Sequence, residues 1–296
     1  MDVINYGLRP LEFNNPTSTT DAGFSRRDFI VTSLASGFAL ASGAVHAQAI
    51  VTDAKGLTAG EVSIPVAGGS IPAYRAMPAK GRNLPVLLVI QEIFGVHEHI
   101  KDMCRRFAKL GYYAVAPEMF ARQGDVSKMS DIGAILSEVV SKVPDAQVMA
   151  DLDATVAFAK ASGSADVTKL GILGYCWGGR TVWLYAAHNP AVKAGVAYYG
   201  LLSGMKSPIK TQDPIDVADS IEVPVLGLYA GIDAYIPQEI VEKMRGELAK
   251  GKSGSEIVVF PGVNHGFNAD YRPTYDKTAA EYASKLALDW LKDHGA

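Results

Sequence analysis

Cysteine is scarce in this chain of 296 residues, which has two, Cys104 and Cys176. If one thiol is chemically employed the other has no partner, so no disulfide framework is expected. A dominant charge is also missing: 28 Lys and Arg stand against 31 Asp and Glu, a net charge of −3, which argues against a nucleic-acid partner. The mildly apolar stretch 31–45 falls short of the roughly twenty residues needed to cross a bilayer, so no stable membrane anchor is expected. No internal repeat, phosphate-binding loop or low-complexity tract occurs, and no cofactor is expected. What remains after the N-terminal segment is about 250 residues, enough for one domain with a substantial core.

Apolar runs alternate with amphipathic stretches from Leu84 to Leu291. The pattern predicts strands near 86–91, 112–116, 169–173, 194–199, 223–229 and 257–260. Helices are predicted near 99–110, 145–161, 178–188, 238–250 and 276–292, giving an α/β protein with a mostly parallel central sheet and helices on both faces. Residues 61–75 add antiparallel strands at one edge, and 201–214 read as a loop or lid.

The most informative phrase is Gly174-Tyr175-Cys176-Trp177-Gly178-Gly179, which sets a thiol between glycines after an apolar run and before a helical stretch. That is the pattern of a nucleophile elbow with sulfur in place of hydroxyl. Glycine is needed on both sides because a side chain there would strike the neighbouring strand or helix. The helix dipole at such a turn favours thiolate, the attacking form. A small buried hydrophobe in a Gly-rich turn is the plainer alternative for Cys176.

The α/β-hydrolase order of nucleophile, acid and histidine can be followed downstream. The run 223–232 ends in Asp233, and the strand-like 256–260 leads through Pro261-Gly262-Val263-Asn264 to His265. Either alone is an ordinary loop residue; the order makes them candidates. Earlier, the apolar run 84–90 ends in Gln91-Glu92-Ile93-Phe94-Gly95, at the loop where this fold carries an oxyanion donor.

Together, Gln91-Glu92-Ile93-Phe94-Gly95, the cysteine elbow, Asp233 and His265-Gly266-Phe267 resemble the dienelactone hydrolase family, from about Ile64 to the C-terminus. The resemblance implies that Cys176 attacks an ester or lactone carbonyl, His265 is its base, Asp233 orients the histidine and Glu92 controls the thiol's ionisation. It also implies an oxyanion hole from the backbone amides of Ile93 and Trp177, and a carboxylate-binding role for Arg122. A second arginine expected shortly after the histidine is replaced by Ala269, with Arg272 near enough to substitute. Tyr199, in the pair Tyr198-Tyr199, is a candidate to shape the substrate pocket, with core packing the alternative.

Glu92 carries two readings from chemistry alone. As a fixed negative charge it raises the thiol pKa, and as a displaceable base it accepts the thiol proton when an anionic substrate arrives; the resemblance favours the second. His97-Glu98-His99 has metal-ligand residue types, but its spacing suits a solvated helix start better than a zinc site. At the N-terminus, Ser25-Arg26-Arg27-Asp28-Phe29-Ile30, the apolar stretch and Ala47-Gln48-Ala49 look like a twin-arginine export signal over residues 1–49. A periplasmic or secreted hydrolase domain over 50–296 is therefore expected, with the export machinery as partner. A non-catalytic periplasmic binder or redox sensor on the same fold, or a thioesterase or general carboxylesterase, are the competing readings.

Overall fold

The structure is a computed structural model describing residues 50–296, so the expected export signal and its cleavage site lie outside the described residues. Eight strands form one sheet in the order β1-β2-β4-β3-β5-β6-β7-β8. β1 (Leu57–Val66) and β2 (Gly69–Pro78) are the antiparallel edge, and β2 also runs antiparallel to β4 (Tyr113–Pro117). The other pairings, through β3 (Leu84–Ile90), β5 (Ala165–Tyr175), β6 (Val192–Tyr198), β7 (Val225–Ala230) and β8 (Glu256–Phe260), are parallel.

Burial explains the strand sequences. β3, β4 and β7 are buried along nearly their whole length, as a parallel sheet covered on both faces requires, so they read as continuous apolar runs rather than alternations. The helices read by their stripes. In α1 (Glu98–Lys109), Ile100, Met103, Cys104, Phe107 and Ala108 recur at the three- and four-residue spacing of one face, and all are buried. α2 (Asp145–Ala161), α4 (Gln238–Leu248) and α5 (Lys277–Asp293) follow the predicted spans within two residues. α3 (Trp177–His188) is different, being buried from Trp177 to Ala186.

In an open α/β sheet, sites gather beyond the carboxyl ends of the parallel strands. Here Glu92 follows β3, Glu118 follows β4, Cys176 follows β5, Tyr199 follows β6, Asp233 follows β7 and His265 follows β8. The topology thus carries six residues separated by up to 173 positions to one edge of one sheet.

Candidate active site

Cys176 sits where β5 turns into α3, with φ 54° and ψ −111°. A non-glycine residue in this region costs about 1–3 kcal/mol and persists only where its surroundings enforce it. Its amide donates to the Tyr198 carbonyl at 3.0 Å, and its carbonyl accepts from the Arg180 amide at 3.1 Å, so the turn is held from both sides. The flanking glycines are sterically required. A Cβ on Gly178 would lie 2.5 Å from the Ile90 carbonyl oxygen, and one on Gly174 would strike the Gly178 carbonyl. The thiol stands at the N-terminus of a twelve-residue helix, where the dipole favours negative charge.

His265 Nδ1 is 2.8 Å from Asp233 Oδ2. The other Asp233 oxygen accepts from the amides of Tyr235 at 2.8 Å and Ile236 at 3.2 Å, which fixes the carboxylate and through it the imidazole. A carboxylate on Nδ1 makes that nitrogen the donor and leaves Nε2 for proton exchange. Nε2 is buried, and the Cys176 thiol lies close enough to raise the ring's pKa through both its charge and a side-chain hydrogen bond. Burial disfavours the imidazolium, but Asp233 and Cys176 outweigh it and shift the ring's pKa upward. Tyr199 and Tyr235 pack on the imidazole with centroids at 4.9 and 5.0 Å. Tyr199 is itself held at φ 37°, with its hydroxyl buried and unpartnered.

Glu92 is fully buried, and its Oε2 accepts from Arg272 Nη2 at 2.9 Å and from the Tyr271 hydroxyl at 2.8 Å. Burial pushes this carboxyl up, yet Arg272, followed by His97, His99 and the Tyr271 bond, brings it below its ordinary value. Glu92 is therefore ionised at neutral pH and paired. Its second oxygen, Oε1, is buried without a partner. The Arg272 guanidinium also lies over the Phe94 and Tyr271 rings at 5.3 and 5.4 Å.

The family model for the dienelactone hydrolase family matches residues 71–295. The chain belongs to that family. It is 59% identical over 272 residues to a "Putative carboxymethylenebutenolidase" of Methylorubrum extorquens, spanning 92% of this chain and 94% of the relative. A protein of the same name from Escherichia coli K12 is 48% identical over 267 residues, spanning 90% and 98%. Among solved structures, a "Putative Dienelactone Hydrolase" from Klebsiella pneumoniae is 51% identical with a TM-score of 0.77, over 80% of this chain and 98% of that one. The protein is accordingly a carboxymethylenebutenolidase-like hydrolase of the α/β-hydrolase fold.

Against the family pattern, the structure gathers Cys176, His265, Asp233, Glu92, Tyr199 and Arg272 around the carboxyl edge. The residues whose amides the resemblance nominates, Ile93 and Trp177, directly follow Glu92 and Cys176 and are both buried, Trp177 with its ring 4.9 Å from that of Phe120. Arg122 is on the same edge but is paired with Asp151 of α2. Arg272, the residue near Ala269, reaches the site through Glu92.

Three residues sequence reasoning missed are Tyr271, Asp270 and Glu118. Tyr271 donates to Glu92. Asp270 accepts from Arg106 at 2.5 Å and binds His99 Nδ1 at 3.2 Å, which ties the loop carrying His265 and Arg272 to α1. His97 and His99 hence have structural duties: His97 caps α1 through His99 N, and burial first, against the pull of Glu92, lowers its pKa to about 4, so it is neutral. The signal that could have found Glu118 and Tyr271 is position, since each lies just past a strand's carboxyl end or beside a candidate residue.

Proposed function

We propose that this hydrolase opens a small lactone or ester through a covalent acyl-enzyme on Cys176, with His265 and Asp233 as its proton-handling pair. The observation carrying this reading is a thiol on a strained, fully enforced elbow beside a histidine whose far nitrogen is bound to a buried carboxylate. Sulfur attacks the carbonyl carbon and forms a C–S bond. The tetrahedral oxyanion is stabilised by the Ile93 and Trp177 amides, where loss of one donor typically costs about two to three orders of magnitude in rate. Collapse breaks the acyl C–O bond, and the leaving oxygen takes up the proton that left the thiol. The His265 ring then accepts a proton from water as the water oxygen attacks the thioester and returns it to sulfur as the C–S bond breaks, restoring the thiol and releasing the acid, which ionises in solvent.

The paired Glu92 supports the displaceable-base reading. A substrate carboxylate that recruits Arg272 leaves Glu92 an unpaired buried carboxylate, whose pKa then rises and which takes the thiol proton. Tyr199 shapes the pocket beside His265, and Arg122 contributes a second cation once it leaves Asp151. The relatives' name points to a dienelactone as substrate. Turnover of a dienelactone, followed by ultraviolet absorbance beside a panel of aryl esters, tests this: lactone turnover is expected, and activity on aryl esters alone would keep the thiol chemistry and discard the lactone.

We further propose that residues 1–49 direct twin-arginine export to the periplasm or beyond, which the Arg26-Arg27 pair, the apolar stretch and the small residues at 47–49 support. Among the described residues no helix is long and apolar enough to cross a membrane. Replacing both arginines by lysine is expected to retain the chain in the cytoplasm on fractionation; undiminished export of that variant would contradict the assignment.

A further inference from the structure

We infer that Glu118 is a positioning residue for the oxyanion-binding loop, acting through the Val96 amide and the Gln91 side chain. The inference rests on the proposed acyl-enzyme reading, in which the Ile93 amide stabilises the tetrahedral oxyanion. Glu118 follows β4, the parallel neighbour of β3, so its side chain starts beside the loop that leaves β3. Its own amide is anchored to the Pro72 carbonyl of β2 at 2.8 Å. From there Oε2 accepts from the Val96 amide at 2.7 Å, and Oε1 accepts from Gln91 Nε2 at 2.9 Å and the Phe120 amide at 3.3 Å. Gln91 returns the contact, its Oε1 accepting from the Met119 amide at 3.2 Å.

One carboxylate therefore grips the loop at both ends, Gln91 and Val96, with Ile93 between them. The fit is close enough to dictate the sequence at Gly95, which has φ +75° and where a Cβ would lie 2.7 Å from Glu118 Oε2. Both oxygens act as acceptors in these three bonds, which an ionised carboxylate serves best. That form is costly here: burial pushes the Glu118 carboxyl above its ordinary value despite the Val96, Gln91 and Phe120 bonds that pull it down. A pair of oxyanion donors loses its effect when displaced by a fraction of an ångström, because its hydrogen bonds must meet an oxygen that becomes negative only during the reaction. A stiff, doubly bonded brace on the loop serves that need.

Glu118→Gln separates positioning from general support. The amide keeps size and removes the buried charge, but turns one acceptor into an NH₂ donor, which must face either the Val96 amide or the Gln91 and Phe120 donors. Two reactions of Cys176 are compared in the full-length protein: acylation by an activated aryl ester, which generates an oxyanion, and alkylation by iodoacetamide, which does not. The expected result is a fall of about 10- to 100-fold in acylation and in kcat, little change in KM, and alkylation within about twofold of the parent. Equal losses in both reactions, or no loss in either, would overturn the inference. Should Glu118→Gln fail to fold, Gln91→Met removes two bonds of the brace, Gln91 Nε2 to Glu118 and the Met119 amide to Gln91 Oε1, while leaving the Val96 bond, and is expected to show the same selective loss at about three- to tenfold. Turnover that survives Cys176→Ala would overturn the acyl-enzyme reading itself, a result distinct from any outcome at Glu118.

Discussion

Cys176→Ala is expected to lower kcat/KM on any ester or lactone the protein turns over by at least about four orders of magnitude, because removal of a triad nucleophile leaves only binding and oxyanion stabilisation. Substrate affinity should change little, since a single sulfur atom is lost. Cys176→Ser is expected to recover only a small part of the rate, because a hydroxyl needs more activation than a thiol. Cys104→Ala is the control. That thiol is fully buried on the core face of α1, and burial pushes its pKa far above the ordinary range, so it is inert and its loss should leave kcat unchanged. Steady-state kinetics on the three variants checks the set, and near-parental turnover by Cys176→Ala would contradict the assignment.

Arg272→Leu is expected to destabilise the fold by about 3–5 kcal/mol, because it strands the Glu92 carboxylate, which is fully buried and has no other cation bonded to it at hydrogen-bond distance among the described contacts. The loss depends on pH. In the parent, the Glu92 pKa lies below its ordinary value of 4.5, so the pair stabilises the fold above that pH and the contribution is lost as pH falls through the lowered value. Without Arg272, burial dominates and the carboxyl pKa rises above 4.5; the folded state then binds the proton more tightly than the unfolded chain, and stability falls as pH rises through that window. Urea unfolding of Arg272→Leu at pH 5 and pH 8 should therefore show the variant's loss relative to parent growing toward pH 8. Glu92→Gln in the same chain should recover most of the loss, since the two side chains are in direct contact and their effects are not additive. A loss that is equal at both pH values, or that Glu92→Gln leaves in place, would show that Arg272 acts through packing on Phe94 and Tyr271 instead.

What could be read before the fold was known follows the range of the interactions involved. The elbow is local as a pattern: glycine, thiol and helix start lie within six residues, so Cys176 is visible in the sequence, although the atoms that forbid a side chain at Gly178 are the Ile90 and Gln91 carbonyls at the end of β3. Asp233 and His265 were visible by their order after strand-like runs. Arg272 was placed near the site by its distance in sequence from His265, but its bond to Glu92 spans 180 positions and follows only from two loops meeting at one sheet edge. The brace from Glu118 to Gln91 and Val96 is hidden for the same reason. Arg122 shows the converse, where a family pattern located the residue and the partner Asp151, supplied by α2, could not be seen in it.

Element boundaries follow similar logic. β5 extends to Ala165–Tyr175 beyond the apolar 169–173, because its polar start pairs with Leu84 and Pro85 across a register shift while remaining partly exposed. No helix is predicted over 126–142, although Ile132, Ile135, Leu136 and Val139 keep helical spacing and are buried. The segment folds as short 3₁₀, α and π turns, each too brief for a periodic signal to stand out.

A thioester on Cys176 is seen most directly in the intact mass of the protein mixed with an activated ester and quenched in acid within the first turnover. The expected result is a mass increase equal to the acyl group, mapped by peptide digestion to residues around Cys176 and absent from Cys176→Ala. Turnover with no mass increase at any quench time, or an adduct on another residue, would contradict the thioester on Cys176.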